Sequence, residues 1–159
     1  MTAIRSARSL EILNLSRNAV HDVEPLHALT TLTNLDLSRN QIEDTTPLRS
    51  LTRLTNLNLN SNTITDITPL SSLTTLTNLD LSRNQIDDTT PLGSLSRLTA
   101  LSLERNRVED ITPLLALANL SVLDLDRNCL DLEGESSRHI ARLEATGTEV
   151  NSERQDTCE

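Results

Sequence analysis

Apolar and polar positions along the chain recur on a single spacing of 22 residues. Leucine stands eight, five and three residues before each of Asn18, Asn40, Asn62, Asn84, Asn106 and Asn128. Two residues after them stand Val20, Ile42, Ile64, Ile86, Val108 and Leu130. Leucine returns eight and eleven residues after the asparagine, as at Leu48 and Leu51. These five positions hold 28 of the 32 leucines, so little of the apolar content lies outside the pattern. Asp22, Asp44, Asp66, Asp88 and Asp110 keep the same period, as do Pro25, Pro47, Pro69, Pro91 and Pro113. Separate series sharing one period mark an internal repeat.

The local patterns predict the elements of each unit. Around Leu35-Asp36-Leu37, apolar and polar residues alternate, as in a strand with one buried face. The asparagine follows where the chain turns away. Its amide suits donation to, and acceptance from, backbone groups of the turn and the adjacent repeat. Such groups, buried and unpaired, cost about 1–3 kcal/mol each, which gives the series a structural role. Asp-x-x-Pro-Leu predicts a turn into a short helical piece, with proline at its first position. Thr46, Thr68, Thr90 and Thr112 are the expected caps, with Glu24 in the first unit. A 22-residue unit has no room for a long helix beside its strand, so short 3₁₀ turns are expected.

The segment L-x-x-L-x-L-x-x-N-x-I, present six times between residues 3 and 132, resembles the signature of leucine-rich repeats. The unit Leu32–Arg53 is similar to the 22-residue class of bacterial internalin-like proteins and of a protein-phosphatase regulatory subunit. The resemblance implies an α/β repeat: a solenoid with a parallel concave sheet, 3₁₀ turns on the convex side and an internal asparagine ladder. On this register, residues 1–9 are a partial repeat, 10–132 six repeats, 133–151 a C-terminal cap and 152–159 a polar tail expected to fray. In the cap, Ile140 and Leu143 predict a helix capped by Ser136 or Ser137, Gly147 a stop and Val150 a last strand. The opening residues align with the end of a repeat and leave apolar core uncapped. The face around Ile4, Leu10 and Ile12 is therefore a candidate for self-association.

Composition narrows the function. The chain has 159 residues, no aromatic side chain, a net charge of −9 and a pI near 4.7. An acidic surface disfavours nucleic acid, and no apolar run is long enough to span a bilayer. No export signal is visible, which favours the cytoplasm; secretion or surface display would need a signal outside this chain. On the same ground Cys129 and Cys158 are expected to be free thiols.

The residues between the leucines form columns. Four before the asparagine stand Asn14, Asp36, Asn58, Asp80, Ser102 and Asp124; two before, Ser16, Ser38, Asn60, Ser82, Glu104 and Asp126; one before, Arg17, Arg39, Ser61, Arg83, Arg105 and Arg127. They predict a polar concave face with an acidic centre and an arginine rim. The last three repeats vary most, which selects Asp80, Arg83, Ser102, Glu104, Arg105, Asp124, Asp126 and Arg127 as candidate binding residues for a protein partner with a basic surface. Residues 31–51 and 75–95 differ only at Glu43/Asp87 and Arg49/Gly93. Such regularity keeps two other readings open: a structural spacer within a larger surface or regulatory protein, and an engineered or recently duplicated scaffold with no evolved ligand. Three glycines cannot form a phosphate loop. His21, His27 and His139 lack metal-ligand spacing, and Glu104, Asp124 and Asp126 are the only acidic cluster to weigh for a cation. No acid, base and nucleophile converge, so no catalysis, cofactor or metal is expected.

Overall fold

The computed structural model describes residues 9–156. Seven three-residue strands form one parallel sheet in chain order: β1 Ile12–Asn14, β2 Asn34–Asp36, β3 Asn56–Asn58, β4 Asn78–Asp80, β5 Ala100–Ser102, β6 Val122–Asp124 and β7 Glu149–Asn151. From β1 to β6 each residue pairs with the one 22 further on, as Leu35 with Leu57. Between β6 and β7 the step is 27, with Leu123 opposite Val150. The extra five residues accommodate helix α1, Glu135–Ala145.

A 3₁₀ turn follows each of the first five strands, at Glu24–Leu26, Thr46–Ser50, Thr68–Ser72, Thr90–Ser94 and Thr112–Ala116, with proline in its first two positions. The caps differ from expectation. No threonine side chain caps these turns; instead the carboxylate of Asp44 accepts a hydrogen bond from the Thr46 N–H at 2.8 Å. Asp22, Asp66, Asp88 and Asp110 do the same for Glu24, Thr68, Thr90 and Thr112. The repeating aspartate is thus a local backbone acceptor two residues ahead, a turn geometry that short acidic side chains favour.

The leucines and the Val/Ile series form one continuous core from Val23 to Leu143. One core column alternates: Val23, Thr45, Ile67, Thr89 and Ile111 are all buried. The hydroxyls of Thr45 and Thr89 donate to the carbonyls of Asp66 and Asp110, which satisfies them inside the core. The structural unit is therefore 22 residues, while the packing unit is a pair of repeats.

The asparagines form a ladder. In Asn84, Nδ2 donates to Leu59 O at 3.0 Å and Leu81 O at 2.9 Å, and Oδ1 accepts from Ile64 N at 3.1 Å. Asn40, Asn62, Asn106 and Asn128 bridge their repeat to the preceding one in the same way. Asn18 is exposed and bonds only within its own turn, to Leu15 O and Ser16 O.

The C-terminal end corrects three expectations. Helix α1 begins at Glu135, with Gly134 at the cap and no side-chain cap; Ser136 and Ser137 hydrogen-bond instead to Glu109 O and Gly134 O. Its other end closes as expected on Gly147, at φ +96°: Gly147 N donates to Glu144 O and Thr148 N to Leu143 O. Residues 152–156, where a frayed tail is expected, are hydrogen-bonded to the last repeat. Arg154 N donates to the Asp126 carboxylate, Asp156 N to Asn128 O, and Gln155 pairs with Asn128 as a parallel bridge. Gln155 is a further rung of the ladder: Oε1 accepts from Leu130 N and Nε2 donates to Leu125 O. Finally, Cys129 is disulfide-bonded, not a free thiol. The chain's only other cysteine, Cys158, lies outside the described residues, as does Ile4 of the proposed N-terminal face.

Candidate functional site

A groove of about 540 Å³ crosses the sheet from β1 to β6. Its floor is built by two columns. One is the column four before the asparagine, Asn14, Asp36, Asn58, Asp80, Ser102 and Asp124. The other, two residues earlier in each strand, is Ile12, Asn34, Asn56, Asn78, Ala100 and Val122. Sequence reasoning overlooked this second column. Strand alternation carried the signal, because residues on either side of the central buried leucine share one face. Its middle is three amides and its ends are apolar: Ile12 is 67% exposed and Val122 47%.

Of the candidate binding residues, Asp80, Ser102 and Asp124 line this groove; Arg83, Glu104, Arg105, Asp126 and Arg127 do not. Many of the floor acids also carry backbone. Oδ1 of Asp80 accepts from the N–H and the hydroxyl of Ser82, and the Ser82 hydroxyl receives the Asn60 amide. Oδ1 of Asp124 accepts from Asp126 N and from Asn151 Nδ2, both at 3.1 Å. Asp36 and Asn58 hold Ser38 N and Asn60 N alike. The polar column is thus a row of strand-end turns as well as an exposed surface.

Electrostatics separate the acids. Burial pushes the Asp124 carboxyl above its ordinary range, against the lowering bond from Asp126 N; Glu104 and Asp126 add repulsion. Asp44, Asp88 and Asp110, on the far side of the turn, are held below that range by hydrogen bonds from the Thr46, Thr90 and Thr112 side chains and backbone. Among the described residues no group of three His, Cys, Asp or Glu is placed to hold a metal ion, the Glu104, Asp124 and Asp126 cluster included. No helix of the described residues is long and apolar enough to cross a membrane.

The arginine rim is not part of the strands. Arg17, Arg39, Ser61, Arg83, Arg105 and Arg127 all sit in the left-handed region, at φ 56–57°. There each N–H reaches the next repeat, as Arg83 N to Glu104 O at 2.7 Å. These side chains do not line the groove, and among the described residues three of them pair with Glu104 or Asp126. Glu104 lies 3.5 Å from Arg83 Nη2 and 3.3 Å from Arg105 Nε; Arg127 Nε lies 3.9 Å from Asp126. Exposed pairs of this kind are worth at most about 1 kcal/mol.

Residues 8–50 and 52–94 each match the family model for paired leucine-rich repeats. Among solved structures, an internalin C2 of Listeria monocytogenes superposes with a TM-score of 0.87 at 33% identity, over 98% of this chain and 67% of that one. An internalin of the same organism, internalin F, gives 0.71 at 28% identity, over 96% and 50%. A leucine-rich-repeat protein of Leptospira interrogans gives 0.85 at 28%, over 93% and 38%. The chain thus spans only half or less of the last two. No curated protein sequence matches it. The paired-repeat matches cover more than half of the sequence and coincide with the two-repeat packing of the core, and on that basis the chain belongs to the leucine-rich repeat family.

Proposed function

We propose that the chain is a non-catalytic interaction module that holds a segment of a protein partner in its concave groove. Leucine-rich repeats serve in general as protein–protein interaction modules, which supports the reading. The observation that carries the reading is the groove's makeup: an amide centre at Asn34, Asn56 and Asn78, exposed apolar ends at Ile12 and Val122, and carboxylates at Asp36, Asp80 and Asp124. Amides match a peptide's own donors and acceptors. The carboxylates, with Glu104 and Asp126 beside the groove, favour a basic segment. With no aromatic side chain to act as an anchor, affinity is modest and falls with salt. The disulfide at Cys129 supports an oxidising compartment over the cytoplasm that the sequence favours.

Labelled basic and neutral decapeptides, titrated against the intact chain, test this. Basic peptides should bind saturably and more tightly than neutral ones. Ala100→Trp fills the groove at a half-buried position and should abolish binding without lowering the melting temperature. Reversal of Asp124 and Asp126 to lysine should weaken it at least tenfold. Undiminished binding by the tryptophan variant would exclude the groove.

A further inference from the structure

We infer that the arginine edge beside the groove is a second binding surface, one that takes a single extended protein segment rich in aspartate or glutamate. It does not depend on the groove's occupancy. All fourteen basic residues other than histidine are arginine. Five of them stand at the same left-handed position of successive repeats, with only Ser61 breaking the row. That conformation disfavours every L side chain, and Asn tolerates it best. Ser61 holds the same φ, so the backbone gives no reason for arginine at the other five positions.

Local ion pairing does not account for them either. Among the described residues, Arg17, Arg39 and Arg107 are in no ion pair, and Arg83 and Arg105 share the one carboxylate of Glu104. Where the edge meets the last repeats it encloses a depression of about 350 Å³. Arg105, Arg107 and Arg127 border it with Asn84, Gln85 and Asn106, and Asp156 also touches it. Guanidinium forks and amides are the groups that receive a carboxylate bidentately.

The width of the edge selects the ligand. Asp80 and Asp124 line the adjoining groove, Glu104 and Asp126 pair with the arginines themselves, and Asp88 and Asp110 follow at the next turn of the chain. A broad polyanion such as a nucleic acid or sulfated polysaccharide would meet these acids in a chain already at −9. A single acidic strand can follow the depression, where Arg105, Arg107 and Arg127 face one bordering carboxylate, Asp156.

The test is fluorescence anisotropy of a labelled (Glu-Ala)5 peptide against the intact chain at low salt. Saturable binding that falls with added salt is expected. Arg105→Asn, Arg107→Asn and Arg127→Asn together should weaken it at least tenfold, with a melting temperature no lower than the parent's. Arg49→Asn, Arg53→Asn and Arg97→Asn remove the same charge from positions that border neither the groove nor the depression and should leave binding within twofold. Absence of saturable binding, equal loss in the Arg49/Arg53/Arg97 variant, or tighter binding of oligothymidylate or a heparin-type oligosaccharide than of the peptide overturns the proposal.

Discussion

Truncation of Asn84 to alanine measures what one rung of the ladder contributes. The side chain is buried, and its three close partners have unequal alternatives. Leu59 O keeps a bond from Asn62 Nδ2, and Leu81 O keeps one from Asn106 Nδ2. Ile64 N has no second acceptor among the described bonds, and Ile64 is fully buried. An orphaned buried donor costs about 1–3 kcal/mol, and two carbonyls left with one bond each add a fraction more. The expected loss is about 2–3 kcal/mol, or roughly 4–12 °C in melting temperature for a domain of this size. Asn18→Ala is the internal control. Asn18 is exposed, bridges no earlier repeat, and should cost about 1 kcal/mol or less. Asn84→Asp keeps an acceptor for Ile64 N but sets an anionic oxygen against two carbonyls, so it should cost more than alanine. Urea unfolding of the three variants, with hydrogen exchange at the Ile64 amide, gives the comparison. Equal losses at Asn18 and Asn84, or an unchanged Ile64 amide, would refute the reasoning that inter-repeat bonds carry the energy.

Further predictions concern charge, the termini and the disulfide. For Asp44, whose folded pKa is depressed, the hydrogen-bonded carboxylate stabilises above the ordinary value near 3.8, and that contribution is lost as pH falls through the lower folded value; Asp44→Asn should flatten this acid limb in pH-dependent melting. Asp124 has the opposite sign, since a raised folded pKa makes ionisation destabilising; Asp124→Asn should melt higher than the parent at pH 7, with the gap closing as pH falls towards 3.8. Reduction of the disulfide at Cys129 should lower the melting temperature, and hydrogen exchange should report the loss in the last repeat, at the Cys129 amide bonded to Val108 O. If the face around Leu10 and Ile12 pairs two copies, sedimentation should show mass rising with concentration and Ile12→Lys should abolish the rise; a constant monomer mass rules that pairing out.

The scaffold was legible because each repeat position has one physical reason repeated six times. A leucine three before Asn40 and one three before Asn106 face the same interior, so the period reveals both together. What escaped the sequence lay in polar groups with two plausible uses. Thr46 and Asp44 are both good caps by composition; geometry gives the bond to Asp44, because its short side chain reaches the N–H two residues on. Gln155 escaped because the 22-residue register ends at Asn128, and α1 lengthens the last step to 27. Once that insertion is counted, Gln155 falls opposite Asn128, and a side chain one methylene longer than asparagine still reaches Leu130 N.

The candidate surface was harder to read for the same reason that the scaffold was easy. Columns taken one residue at a time treat Asp80 and Arg83 as neighbours on one face. The left-handed turn at Arg83 separates them: Asp80 stays in the groove, while Arg83 leaves with the edge. The columns expected to share one face thus divide: Asp80, Ser102 and Asp124 line the groove, while Arg83, Arg105 and Arg127 lie outside it, paired with Glu104 and Asp126. Their acids also have different duties. Asp80 and Asp124 hold strand-end backbone, so their recurrence follows from folding, whereas Asn78, Ala100 and Ser102 show no backbone bond from their side chains among the described residues. Variation without a folding cost is where a repeat protein is free to acquire a partner. By that criterion Ala100 and Ser102 on β5, with Ile12 and Val122 at the ends, are positions where the groove varies from repeat to repeat with no backbone bond from the side chain among the described residues.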